Sequence, residues 1–150
     1  MAVLTVVCTA NICRSPMGQV VLQEKATAAG LKVEVRSAGV QALVGKSPDS
    51  EALGALRRAG YAEPAGKRAE QLLVPQASSS QLILVMENRH KQWVMQNFPA
   101  HSGKVWLMAH WLGQKDVDDP IGQSADRFDA CLREIEQCVD LWVPKLRVLL

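Results

Sequence analysis

The chain has 150 residues, 48% of them hydrophobic, and a formal net charge of +2. Those values fit one globular domain that buries roughly 70% of its unfolded surface. They exclude a disordered chain and a protein whose overall charge is built for nucleic acid.

The N-terminus, "MAVLTVVCTAN", has neither a basic segment nor a long apolar one, so no signal peptide is expected. Val3 to Val7 is a short Val-rich run that predicts a buried strand. Ser15-Pro16 predicts a helix start, with Ser15 as N-cap and Pro16 at the first helical position. Met17, Val20, Val21, Leu22 and Ala28 follow at near-helical spacing, and Gly30 stops the helix. "LKVEVRSAG" alternates, which predicts a second strand over Leu31 to Ser37. Gly39 to Ser50 reads as a loop and "DSEALGALRRAG" as a short helix stopped by Gly60. Tyr61 to Ser80 shows no regular pattern.

"QLILVME" predicts a third buried strand. Its core "LILVM", Leu82 to Met86, is as long as any uninterrupted apolar stretch in the chain. A membrane span needs about 20 such residues, so a soluble chain with no membrane insertion is expected. "ENRHKQWVMQNF" predicts a helix and "GKVWLM", Gly103 to Met108, a fourth strand. His110 to Gly122 is a polar, acidic loop. Ser124 opens a last helix with Phe128, Cys131, Leu132, Ile135, Cys138, Trp142 and Leu146 on one face. Strands alternating with helices predict an α/β fold: a three-layer sandwich with a four-stranded parallel sheet and helices on both faces. In such sheets ligands bind outside the carboxyl ends of the strands.

The chemistry concentrates at the end of the first strand, in "VVCTANICRSPMG". Thiols beside cations or helix N-termini ionise more readily. Both influences converge on Cys8, from Arg14 and from the helix that follows it. Successive backbone N–H groups from Thr9 through Ala10, Asn11, Ile12 and Cys13 toward Ser15 form an anion nest. Arg14 can hold two phosphate oxygens at once, as Lys cannot. Thiolate, nest and guanidinium together describe a phosphate monoester site with covalent catalysis, and the positive charge they supply requires no metal and no cofactor.

The spacing Cys8-x5-Arg14-Ser15 resembles the phosphate loop of the low-molecular-weight protein tyrosine phosphatases. "NICRSPM" matches that loop, "SAGV" (Ser37 to Val40) its Ser-Ala-Gly segment, "LILVME" its third strand, and "DDP" (Asp118 to Pro120) its Asp-Pro acid. "ALVGK" and "GKVWLMAHW" are similar to bacterial members. The resemblance implies Cys8 as nucleophile, Arg14 as the phosphoryl-binding group and Asp119 as general acid, then base. It also implies Ser15 as a donor to the Cys8 sulfur, Asn11 in a left-handed conformation, and Ser37 as the partner of Asn11. The implied substrate is a phosphotyrosine protein, a bacterial tyrosine autokinase controlling exopolysaccharide export, met in the cytoplasm. The segments Gln41 to Lys46 and Asp116 to Gly122 would set specificity.

Departures fall outside the core of the motif. Lys67 and Glu70 stand where the family has a His and an Arg that support the loop. Gln81 replaces a strand-opening Asp, and Ile121 and Gly122 replace tyrosines after the Asp-Pro. Arsenate reductase on the same fold needs redox cysteines near the third strand, and "SQLILVMENRH" has none. Protein arginine phosphatases carry Thr where Ile12 stands, and an aliphatic side chain there favours a phenyl ring over a guanidinium. A catalytically silent phosphate-binding module is the remaining alternative, against which intact Cys8, Arg14 and Asp119 argue.

Cysteines without an export signal point to free thiols in a reducing compartment. Cys13 either fills space or pairs reversibly with Cys8 on oxidation. Cys131 and Cys138 read as core residues. The cysteine spacing, with His90, His101 and His110 scattered, fits no common zinc pattern, and each histidine reads as surface or loop. "VGKS" lacks the first Gly of a nucleotide P-loop, since position 40 is Val40. Arg57 and Arg58 read as a solvated helix face.

Overall fold

The computed structural model describes residues 1–150. Four strands, β1 (Ala2–Cys8), β2 (Val33–Gly39), β3 (Leu82–Val85) and β4 (Val105–Leu107), form one parallel sheet in the order β2-β1-β3-β4. Five α-helices connect and cover them: α1 (Arg14–Ala28), α2 (Ser50–Arg58), α3 (Val74–Ser79), α4 (Asn88–Asn97) and α5 (Ala125–Leu149). A short 3-10 helix, Pro99–Lys104, leads into β4. No helix is long and apolar enough to cross a membrane.

The α/β sandwich expected from the alternation of elements is present. One face of the sheet carries α1, α2 and α5 over a core that includes Leu4, Val6, Met17, Leu22, Phe128, Ile135 and Trp142. The other carries α3 and α4 over Val7, Ile83, Val85, Ala77 and Val94. β3 is buried at all four positions because both faces are covered. β2 lies at an edge, so the exposed Glu34 and Arg36 alternate with the buried Val33, Val35 and Ser37.

Several boundaries differ from the sequence pattern. The fourth strand, expected from Gly103, starts at Val105, because Gly103 and Lys104 complete the 3-10 helix turn before it. The first helix begins at Arg14 with Cys13 as its cap residue, and the Ser15 side chain makes no cap. The Ser15 hydroxyl is committed to Cys8 instead. The second strand starts two residues later than Leu31. Leu31 and Gly30 close α1, with the Gly30 N–H bound to the Thr27 carbonyl and the Leu31 N–H to that of Ala26. Gly30 has φ +79° there, the left-handed turn a non-glycine residue resists. The stretch 61–80 contains α3, six residues with a proline and two serines, too short to show a period.

The chain leaves β1 through α1 on one face and leaves β3 through α4 on the other. The strand order therefore reverses between β1 and β3, and the crevice at their carboxyl ends is where such sheets bind ligands. Cys8 ends β1, and Glu87 and His90 follow β3. The loop after β4 reaches the same place, through the Val117 N–H to the Met86 carbonyl at 2.8 Å.

Trp142 anchors α5 to the sheet. Its ring is fully buried and its Nε1 donates to the Met108 carbonyl at 2.8 Å. Trp142→Ala is expected to cost about 3–5 kcal/mol. Trp142→Phe, which mainly leaves that carbonyl unpaired, should cost about 1–3 kcal/mol. Urea unfolding midpoints compare the two.

Candidate active site

The loop after β1 is held from behind by the segment between β2 and α2. The carbonyls of Cys8, Thr9, Ala10 and Ile12 accept from the N–H groups of Val40, Gln41, Leu43 and Asp49, at 3.0, 2.9, 3.1 and 2.7 Å. In a trans peptide the C=O and the following N–H point in opposite directions. Fixing those four carbonyls outward therefore turns the N–H groups of Thr9, Ala10, Asn11 and Cys13 inward. No N–H from Thr9 to Cys13 donates to a protein acceptor. The inward ring sits at the start of α1, where the helix dipole adds to its positive potential.

Asn11 shapes the loop. Its φ is +59°, and its buried amide is fully used. Nδ2 donates to Ser15 Oγ at 2.7 Å and to Ser37 Oγ at 3.0 Å, and Oδ1 accepts from the Glu70 N–H at 2.9 Å. Ser37 Oγ in turn donates to Gln19 Oε1 at 2.6 Å. Because Ser15 Oγ receives Asn11, its own hydrogen is free for Cys8 Sγ at 2.9 Å, which is nearer than the Ala38 carbonyl at 3.4 Å. Donation thus runs outward from the Asn11 amide, through Ser37 to Gln19 on one side and through Ser15 to Cys8 on the other.

Lys67 and Glu70 take up this network differently from a His and an Arg. Lys67 Nζ donates to the Ser37 carbonyl at 3.0 Å, and burial lowers its pKa. Glu70 acts through its backbone, which also accepts the Gly39 N–H at 2.8 Å, while its side chain is exposed. Gly39 is required sterically: a Cβ there would lie 2.4 Å from the Thr9 carbonyl oxygen.

Arg14 is 1% exposed. Its Nη1 donates to Glu87 Oε2 at 2.6 Å and to the Val117 carbonyl at 2.7 Å, and its Nη2 faces Thr9 Oγ1 at 3.4 Å and Asp119 Oδ2 at 3.6 Å. Arg89 binds both oxygens of the same Glu87 carboxylate. Burial pushes the Glu87 carboxyl up, but the hydrogen bonds from Arg89 and Arg14 outweigh it and hold the pKa at about 2.

His90 is fully buried, not in a loop or on the surface, because its ring is part of this cluster. Nδ1 accepts the Glu87 N–H at 3.1 Å, so Nε2 carries the proton and donates to Thr9 Oγ1 at 2.9 Å. Burial and the Arg14 charge lower its pKa to about 4. Glu87, His90 and Gln19 were not legible as site residues, since nothing in the local sequence marks them. His101 and His110 are half-buried and lie outside the site.

The cleft above the loop has a volume of about 230 Å³. Cys8 and Arg14 lie at its base, Ala10 and Ile12 along one wall, and Leu43 and Ile121 at the rim, with Asp119 facing Arg14. Asp119 Oδ1 accepts the Ile121 N–H at 3.0 Å, and Gly122 takes φ +77° just beyond. Cys13 is buried beneath; burial, then the Cys131 and Cys8 thiols, push its pKa above the ordinary thiol range. Burial raises Cys131 and Cys138 to about 12, as core thiols. Arg57 and Arg58 are solvated and pair with Glu63 and Asp129. No three His, Cys, Asp or Glu side chains converge as a metal site.

A family model described as low molecular weight phosphotyrosine protein phosphatase matches residues 3–148. The low molecular weight protein-tyrosine-phosphatase Etp of Escherichia coli K12 is 34% identical over 95% of this chain and 93% of its own length. Among solved structures, the tyrosine phosphatase Wzb of Escherichia coli K30, in complex with sulphate, superposes with a TM-score of 0.88. It is 33% identical and covers 96% of this chain and 97% of its own. The arginine phosphatase YwlE of Geobacillus stearothermophilus superposes with a TM-score of 0.89 at 30% identity, covering 99% and 94%.

Gly39→Ala is expected to displace the Thr9 carbonyl and lower kcat/KM about a hundredfold, as a misplacement near 1 Å does. Steady-state kinetics on an aryl phosphate measures this. Acid should weaken the fold through two groups. His90 has a folded pKa of about 4 against an ordinary 6.5, so the unfolded chain binds the extra proton first and stability falls from pH 6.5 toward 4. Glu87, depressed from 4.5 to about 2, contributes stability that is lost as pH falls through that lower range. Urea midpoints against pH should show both phases, with the upper one removed in His90→Gln.

Proposed function

This chain belongs to the low molecular weight phosphotyrosine protein phosphatases, and on that premise we propose that it hydrolyses phosphotyrosine through a phosphoryl-cysteine at Cys8. The reading rests on one observation above others: Cys8 and the buried Arg14 line one cleft, at the loop whose carbonyls are held outward and whose N–H groups are left without a protein acceptor. The phosphate dianion enters the ring, and its oxygens take the N–H groups of Thr9, Ala10, Asn11 and Cys13 and the Nη2 of Arg14. The Cys8 thiolate attacks phosphorus in line with the tyrosyl oxygen. The P–O bond breaks as the S–P bond forms, and Asp119 gives its proton to the departing oxygen. Water then attacks the phosphoryl-cysteine. Asp119, now a carboxylate, takes the proton from that water. The S–P bond breaks, and the Ser15 hydroxyl stabilises the returning thiolate.

Arg14 stabilises the equatorial charge only if its plane is fixed. Glu87 and the Val117 carbonyl hold Nη1, leaving Nη2 toward the loop and Asp119. The sulphate bound to Wzb is a tetrahedral dianion of the kind the loop of this chain would receive. The physiological substrate we propose is a bacterial tyrosine autokinase of exopolysaccharide synthesis, on the likeness to bacterial members.

The likeness in shape to an arginine phosphatase favours a second reading, phosphoarginine hydrolysis on the same loop. Ile12, Leu43 and Ile121 line this cleft with aliphatic groups. They suit the flat face of a phenyl ring and offer a guanidinium no polar partner.

Steady-state hydrolysis of p-nitrophenyl phosphate, a phosphotyrosine peptide and phosphoarginine in EDTA separates these readings. Turnover of the first two, abolished in Cys8→Ser with phosphate binding retained, is expected. Phosphoarginine as the better substrate would favour the second reading. Asp119→Ala should lower kcat on phenyl phosphate about a hundredfold or more. It should cost far less on p-nitrophenyl phosphate, whose leaving group needs little protonation. Equal losses would remove Asp119 from the acid role.

A further inference from the structure

A second cleft, of about 540 Å³, opens next to the catalytic one and is lined by Val40, Gln41, Arg89, His90 and Trp93. Thr9 divides the two. Its backbone belongs to the phosphate loop, while its hydroxyl takes Arg89 Nη2 at 2.8 Å and His90 Nε2 at 2.9 Å. The outer wall is also shared, because the Val40 and Gln41 N–H groups are the ones that hold the Cys8 and Thr9 carbonyls. A group in the second cleft therefore sits one side chain away from the phosphate site.

The lining contains no carboxylate. Arg89 and Trp93 stand four residues apart on α4 and so share a face. Arg89 is 58% exposed, and its Nη1 donates to no protein acceptor. Glu87, Asp119 and Asp116 surround the guanidinium groups of Arg14 and Arg89. Of these charges only Arg89 lines the second cleft, so the charge that faces it is positive. Gln41 is exposed and adds a side-chain amide opposite.

We infer that this cleft is a substrate subsite for an anionic side chain, a carboxylate or a second phosphoryl group, one or two residues from the phosphotyrosine. An extended peptide advances about 3.3–3.6 Å per residue, so a near neighbour of a phosphotyrosine seated over Cys8 reaches across Thr9. The anion pairs with Arg89, and its stem packs on Trp93. The subsite builds on the phosphotyrosine phosphatase reading and gives this site a preference for acidic substrates.

The test compares kcat/KM on phosphotyrosine peptides of one sequence carrying Glu, Gln, Lys or a second phosphotyrosine at the flanking positions. Each value is divided by that for p-nitrophenyl phosphate in the same variant, which removes any effect on Arg14 through Glu87. The wild-type chain is expected to favour Glu over Gln by about threefold to fivefold, mainly through KM, the size of an exposed ion pair. The preference should fade at high salt. Arg89→Met should bring the ratio to one, and Gln41→Glu should turn it toward the Lys peptide. A gain with the second phosphotyrosine beyond Glu identifies a phosphoryl group as the better occupant; equal values identify a carboxylate as sufficient. Equal rates on Glu and Gln peptides in the wild type, or a Glu preference that Arg89→Met keeps, would overturn the subsite. Absence of p-nitrophenyl phosphate turnover would instead strike the catalytic reading beneath it.

Discussion

Four outward-facing carbonyls govern this molecule. Those of Cys8, Thr9, Ala10 and Ile12 are each held by an N–H from the segment 40–49. Peptide planarity converts that into an inward ring of donors. The rest of the structure serves this constraint. β1 and β2 pair in register up to Cys8 and Gly39, so the two segments leave the sheet side by side. Gly39 has no side chain, which lets the Thr9 carbonyl pass close by. The Gly39 backbone is fixed in turn by Glu70 and Leu72. An anion-binding loop made only of backbone would otherwise repel itself, since its N–H dipoles converge. The fold holds them in place before any ligand arrives, the condition for electrostatic stabilisation to favour a transition state.

A buried guanidinium is the second demand. Arg14 without partners would carry a large desolvation cost. Glu87 and the Val117 carbonyl relieve it, from two different loops at the carboxyl edge of the sheet. His90 stays neutral and donates to Thr9, adding a hydrogen bond without adding charge. Arg89 completes the cluster by binding the far side of Glu87. Three residues from the turn into α4 thus fix the surroundings of the buried Arg14, and two of them, Arg89 and His90, also line the adjoining cleft.

The sequence made the loop itself readable because its chemistry is contiguous. Cys8, Arg14 and Ser15 lie within eight residues, after an apolar run and before a helix. Asp119 was readable through the proline that follows it. Four strands and the buried face of α5 followed from period and burial. What stayed hidden depends on distant partners. Glu87 and His90 meet the loop across 73 and 81 positions, and Gln19 meets Ser37 across 18. A lone histidine on a helix carries no local sign that its ring is buried. α1 starts at Arg14 rather than after Ser15, because the hydroxyl of that good capping residue is bonded to the Cys8 sulfur. Leu31 looked like the first strand residue because the turn that closes α1 also wants an apolar group there.

The most direct measurement is to quench turnover of p-nitrophenyl phosphate in acid during the initial burst and map the phosphoryl group by peptide mass spectrometry. With so good a leaving group the first step is fast, and breakdown of the intermediate is expected to limit the rate, so that the phosphorylated enzyme accumulates. The expected result is one phosphoryl group per chain, on Cys8, in an amount matching the phenol released in the burst. A phosphoryl group on any other residue, or a burst of phenol with none on the protein, would contradict the mechanism.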